Sequence, residues 1–171
     1  MSDCGSIEKL GAAHDLVGFD CGQDELNRFL QRYALQSQQA NSAQTYVACH
    51  AGAVVGYYSL TVGSVGHEDA TPRVKKAMPR YPIPVLILAR LAVHKDWQGR
   101  GLGKGLLKDA LVRTARAADI AGVRALLVQA KDDRARAYYE RYNFESSPTD
   151  PYHLFLLVKD IARRLRAAGT G

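Results

Sequence analysis

No stretch of this 171-residue chain approaches the roughly 18 uninterrupted apolar residues that a membrane span needs. Its first residues, MSDCGSIEKLG, hold no basic segment followed by an apolar run, so no secretory leader is expected. Cysteine is scarce: Cys4, Cys21 and Cys49 are odd in number and lack metal-ligand spacing. A disulfide framework and a bound metal are therefore not expected, and reduced thiols in a cytoplasmic protein fit better. Repeats, low-complexity blocks and linkers are missing as well. That leaves one domain over residues 1–171, long enough to bury a core unaided.

What is present is unevenly spread. Residues 1–85 carry 7 Lys/Arg against 8 Asp/Glu, whereas residues 86–171 carry 16 against 9, a net of +7 in that half. Either an anionic partner meets the C-terminal half, a phosphorylated cofactor or a nucleic acid, or the charge is a solvated basic face.

Apolar spacing sorts the chain into alternating helices and strands. Phe19 to Asn41 reads as an amphipathic helix, with Leu26, Phe29, Leu30, Tyr33 and Ala34 at three- and four-residue steps and Asp24 and Glu25 suited to its first turn. TYVACH and AVVGYYSLTVGSV are β-rich runs joined at His50-Ala51-Gly52, a hairpin signature. Gly66 to Pro84 is polar and proline-punctuated, mostly loop or a short helix. Val85–Val93, VLILARLAV, is a nearly continuous apolar run, as in a strand covered on both faces. A helix with Leu106, Ala110, Leu111 and Ala115 on one side closes at Gly122. RALLVQA is a buried strand, and KDDRARAYYERY a helix capped by Asp132 or Asp133. YHLFLLV is a last strand, and a basic terminal helix frays after it.

Between the apolar strand and the long helix lies Gln98-Gly99-Arg100-Gly101-Leu102-Gly103-Lys104. Successive amides at a helix N-terminus make a nest for phosphate, and Arg100 and Lys104 add charge. The spacing is not that of a Walker A loop, and a dinucleotide GxGxxG fits poorly. A plain turn needs fewer glycines than this.

Two motifs together resemble the GNAT N-acetyltransferases. One is a strand ending in Leu91-Ala92-Val93 followed by Q-x-x-G-x-G opening a long helix. The other is Ala135-Arg136-Ala137-Tyr138-Tyr139-Glu140-Arg141-Tyr142-Asn143-Phe144, similar to the family's A-x-x-F-Y-x-x-x-G-F. Tyr138 stands for the usual Phe and Asn143 for the usual Gly, and Asn best tolerates the left-handed helix end after Gly. The resemblance covers most of the chain. It implies an α/β fold of the acyl-CoA N-acyltransferase type, a mixed central sheet flanked by helices, with acetyl-CoA as co-substrate. It implies that Leu91, Ala92 and Val93 meet the pantetheine arm and that the amides of Gln98, Gly99, Arg100, Gly101, Leu102, Gly103 and Lys104 hold the pyrophosphate. It also implies that the Tyr139 phenol protonates the departing thiolate. Tyr138 and Tyr142, four apart, are expected to pack.

The acceptor follows partly from chemistry. A lysine amine is only about one part in a thousand neutral near pH 7.4, whereas an α-amine with pKa about 7.7–8.0 is already substantially neutral. VLILARLAV contains no Asp, Glu or His, and His94, just past it, is the one candidate base there. Such a site favours an α-amine. Further stretches, F-x-C-G-x-x-x-L-N-x-F-L (Phe19 to Leu30), V-V-G-Y-Y-S-L, P-I-P-V-L-I-L-A-R-L-A-V-H and D-A-x-x-R (Asp109 to Arg113), resemble the GNAT toxins of toxin–antitoxin modules. That likeness implies acetylation of the α-amine of aminoacyl-tRNA, a ribbon-helix-helix antitoxin as partner, and a homodimer. Arg90, beside the cofactor strand, either meets the acceptor's terminal adenosine or phosphate or forms a structural ion pair. Rival readings are an acetyltransferase for a protein or small amine, a catalytically silent acyl-CoA-binding module, and a plain RNA-binding protein, which would leave the glycine turn unused.

Overall fold

The computed structural model describes residues 6–169, so the expectations for Cys4 and for Thr170 and Gly171 at the fraying end lie outside the described residues. In chain order the elements begin with β1 (Glu8–Lys9), then α1 (Asp24–Arg28), a π-helical segment (Phe29–Tyr33) and α2 (Ala34–Gln39). β2 (Gln44–His50), β3 (Ala53–Val65), α3 (Pro72–Lys75), β4 (Ile83–Val93) and α4 (Leu102–Ile120) follow. β5 (Ala125–Gln129), α5 (Asp133–Glu140), β6 (Glu145–Ser146), β7 (His153–Leu157) and α6 (Val158–Ala167) complete the fold. The strands form a mixed seven-stranded sheet in the order β1-β2-β3-β4-β5-β7-β6, in which β4 and β5 run parallel. Two compact units divide the chain. One comprises residues up to Thr61 with Ala89–Ala110, the other Val62–Leu88 with the residues from Leu111 onward.

In the first unit, the helix expected from Phe19 starts only at Asp24. The Asp20 carboxylate accepts from Gly22 N and Asn27 Nδ2, and Asn27 Oδ1 accepts from Cys21 N. With Gly22 at φ 89° these bonds fix a turn that no helix can run through. Asn41, at φ 57°, ends the helical stretch. The expected hairpin is present, with Ala51 at φ 51° and Gly52 at φ 83°, a two-residue turn of the type whose twist matches its strands. Leu10, Phe19, Phe29, Leu30, Val47, Val54, Tyr57 and Ala92 form its core.

The second unit packs Val74, Ile83, Val85, Ala125, Leu127, Phe155 and Leu157. The polar stretch from Gly66 carries a short 3₁₀ turn and α3, with Thr71 as N-cap and Pro72 in the first turn. The Arg124 guanidinium holds that segment, donating to the carbonyls of Val74 (2.8 Å), Arg73 (3.1 Å) and Lys76 (3.1 Å). Arg73 in turn grips Asp160 through two bonds of 2.7 and 3.0 Å.

β4 departs from the expected uniform cover. Its first half is largely buried, but Ala89 is exposed and Arg90, Leu91 and Val93 are partly open. β1 and β6, two residues each, carry too little alternation to be read from sequence.

Candidate active site

Within the first unit, the open end of β4 leads through His94 and a 3₁₀ turn (Lys95–Trp97) into the glycine turn and α4. Gly99 and Gly101 have φ of 79° and 84°. A Cβ at either would meet nothing within 4 Å, so glycine is needed for the torsion and the turn faces open space. The first helical bond runs from Gly105 N to Gly101 O at 3.1 Å. The amides of Leu102, Gly103 and Lys104 therefore precede any intrahelical acceptor and point out of the helix start. Free amides, an open approach and two exposed cations, Arg100 and Lys104, suit a pyrophosphate. Behind the turn, a Cβ on Gly56 would come within 3.0 Å of Leu106 Cδ1 and 3.1 Å of Leu102 Cδ2, so α4 lies directly on bare β3 backbone.

The Gln98 side chain has a structural part of its own, separate from its main-chain amide. Its Nε2 donates to Val93 O (3.0 Å) and Cys21 O (3.2 Å), tying the turn to the end of β4 and leaving Val93 O one lone pair. Trp97 packs against His50, ring centroids 5.0 Å apart, and carries the Arg100 guanidinium 4.9 Å above its ring.

His94, the candidate base, is fully committed. Its Nδ1 accepts from Asp96 N at 3.1 Å, which puts the proton on Nε2, and Nε2 donates to Gly18 O at 3.1 Å. Neither nitrogen is left to take a proton from an amine. Asp20 is no substitute: bonds from Gly22 N, Asn27 and Lys95 hold its carboxyl down to about 2. Elsewhere in this unit Glu8, His14 and Cys49 bring ligand atoms within 4.8 Å of one another. There, however, His14 Nδ1 accepts from Gly11 N, and Nε2 donates to Glu8 at 2.8 Å, so the imidazole is already spent.

Arg90 was open to being a structural ion pair, and it is not one. Its guanidinium carbon lies 3.6 Å above the centre of the Phe29 ring, and among the described residues it has no carboxylate partner. This stack was missed because it depends on the π-helical segment. A five-residue change of helical period leaves the apolar spacing nearly intact.

In the second unit, α5 is capped by Asp132, whose Oδ1 accepts from Ala135 N at 2.8 Å. Its other end is a Schellman turn. Asn143 sits at φ 69°, Asn143 N donates to Glu140 O (3.0 Å), and Phe144 N reaches back to Tyr139 O (3.3 Å). The accompanying apolar contact is between Phe144 and Tyr139, rings 5.4 Å apart. Tyr138 also closes on Tyr139, rings 5.2 Å apart and edge-on, and packs on Tyr142 at 5.3 Å. Tyr139 thus has two rings packed against it, while its hydroxyl makes no hydrogen bond among the described residues. Burial, with a smaller contribution from Tyr138, raises its pKa above the ordinary phenol value, so it stays protonated at neutral pH.

The model of the acetyltransferase (GNAT) domain matches residues 41–146. The chain is 46% identical over 160 residues to a tRNA-acetylating toxin of Mycobacterium tuberculosis, covering 94% of this chain and 96% of that protein. Among solved structures it resembles AtaT complexed with acetyl-methionyl-tRNAfMet, with a TM-score of 0.87 and 28% identity, covering 94% of this chain and 98% of that one. It also resembles a tyrosine-to-phenylalanine mutant of the AtaT toxin bound to acetyl-CoA and the C-terminus of the antitoxin AtaR. There the TM-score is 0.81 and the identity 27%, over 96% of this chain and 99% of that one.

Proposed function

Since the chain belongs to the GNAT acetyltransferase family, we propose that it moves acetyl from acetyl-CoA to the α-amino group of aminoacyl-tRNA and so blocks translation as a toxin. The observation that carries this reading is the 46% identity to a tRNA-acetylating toxin over nearly the whole of both chains. The base-poor end of β4 supports it. With His94 and Asp20 committed, the acceptor must supply its own neutral amine, and an α-amine does so near neutral pH.

The chain's residues divide the work. Leu91, Ala92 and Val93 at the end of β4 hold the pantetheine arm, and the amides from Gln98 to Lys104 hold the pyrophosphate. The amine nitrogen bonds to the acetyl carbon, the carbon–sulfur bond breaks, and the amine's surplus proton leaves to water. Tyr139 gives the phenolic proton to the departing thiolate and takes one back from solvent, which closes the proton balance. A phenol whose pKa is raised is a weaker acid but is always loaded, and acid catalysis of this kind is worth about 10²–10⁴ in rate.

The whole chain is taken as one acetyltransferase domain working in the cytoplasm; among the described residues no helix is long and apolar enough to cross a membrane. Its partners are charged tRNA, an antitoxin of the ribbon-helix-helix class, and a second copy of itself.

Purified protein with labelled acetyl-CoA is expected to label charged tRNA and to leave deacylated tRNA blank. Tyr139→Phe should cut kcat about 10²-fold or more with KM for acetyl-CoA nearly unchanged. Label on free amines or proteins in preference to charged tRNA would replace this acceptor. Tight CoA binding without turnover would make the chain a silent binding module.

A further inference from the structure

We propose that Arg90, held flat by Phe29, recognises the phosphodiester nearest the acceptor amine, and that the stack makes the site selective for charged tRNA over phosphate-free amines. The inference rests on the acceptor reading above and extends it to a residue.

Arg90 precedes Leu91 on β4, and Ala92, two residues on along the same face, joins the core that contains Phe29. Phe29 is itself fixed. It is 8% exposed and stacks on Tyr57 with ring centroids 6.4 Å apart and planes 21° apart. The Tyr57 hydroxyl donates to Leu26 O at 2.7 Å, one turn before Phe29. The Phe29 carbonyl accepts from Ala34 N, the five-residue bond that defines the π turn. Ring and helix segment are thereby locked beneath the guanidinium.

A stacked guanidinium keeps its rim, with five N–H donors, free for an anion that offers paired oxygens, as a phosphodiester does. Here the cation is partly buried and no carboxylate or carbonyl takes those donors among the described residues. A positive charge drawn into such surroundings without a counter-charge costs stability, and the cost is recovered when the anion arrives with the substrate. In an aminoacyl-tRNA the amino acid's carboxyl is esterified, so the nearest anion to the reacting amine is the phosphodiester 5′ of the terminal adenosine. A free amino acid would instead offer its carboxylate.

The test compares two acceptors bearing the same amino acid, charged tRNA and an aminoacyl-adenosine ester with no phosphate. Arg90→Ala should raise KM for charged tRNA about 10- to 100-fold, the worth of a charge-assisted pair. It should leave KM for acetyl-CoA and for the phosphate-free ester within about twofold of the unaltered chain. Arg90→Lys keeps the charge without the fork and should fall between. Phe29→Leu should weaken charged-tRNA binding less than Arg90→Ala and add little to it in the double variant. Equal losses on both acceptors, or no loss on either, would overturn the assignment while the acceptor reading stands. If the unaltered chain leaves charged tRNA unmodified, both fall together.

Discussion

The phenol oxygen of Tyr138 is buried and makes no hydrogen bond among the described residues. Burial, with Tyr142 next to it, pushes its pKa up to about 12. Between the unfolded value near 10 and about 12 the unfolded chain sheds this proton and the native chain keeps it. The associated stability is therefore complete below pH 10 and is lost as pH rises through that window. Tyr138→Phe removes the unpaired hydroxyl and keeps the ring against Tyr139 and Tyr142. It should stabilise by about 1 kcal/mol, or about 2–4 °C in Tm at pH 7. It should also soften the fall in Tm between pH 10 and 12, as thermal unfolding across that range would record. Sequence reached this residue only halfway. Its ring was legible as packing from four-residue spacing, whereas an orphaned oxygen is a property of neighbours in space. The same limit hid the bonds that retire His94 and the ring beneath Arg90.

Among the elements, the turn that closes α5 controls most. Its reciprocal bonds run to the carbonyls of Tyr139 and Glu140, and its apolar contact is Tyr139 on Phe144, so the helix end and the ring's setting are one construction. Asn143→Gly should leave stability and kcat close to their starting values, since glycine adopts the same torsion more readily. Asn143→Val, β-branched at φ 69°, should cost about 1–2 kcal/mol in denaturant unfolding and lower kcat through the tilt of Tyr139. This turn was legible, because Asn in place of Gly points to a left-handed cap. The start of the first helix was not, because Phe19 falls in the helical stripe of apolar residues. The turn there is dictated by Asp20, Gly22 and Asn27, polar groups whose bonds no periodicity reports.

At the level of the whole molecule, the basic C-terminal half is less available to nucleic acid than its net of +7 suggests. Arg124 is spent on three backbone carbonyls, Arg164 on Tyr142 O, Arg163 on Asp160, Arg136 on Glu140 and Lys95 on Asp20. Much of the charge holds the chain's own backbone and acids. If all 16 basic residues met phosphates, log KM for charged tRNA would rise with log salt at a slope of roughly 11 by counterion release. With those five set aside, the slope is expected to be no greater than about 8, measurable from initial rates over a salt series. Charge asymmetry, then, is a poor measure of how many cations are free to meet a phosphate-bearing partner.

Gly56 sets a clearance. Because a methyl there would press on Leu102 and Leu106, the first turn of α4 rests on peptide planes, and the height of its outward amides above the sheet is the thickness of backbone alone. The start of α4 is thus dimensioned by a missing carbon: the glycines at 99 and 101 shape the rim of the proposed phosphate seat, and the one at 56 is the gauge block beneath it.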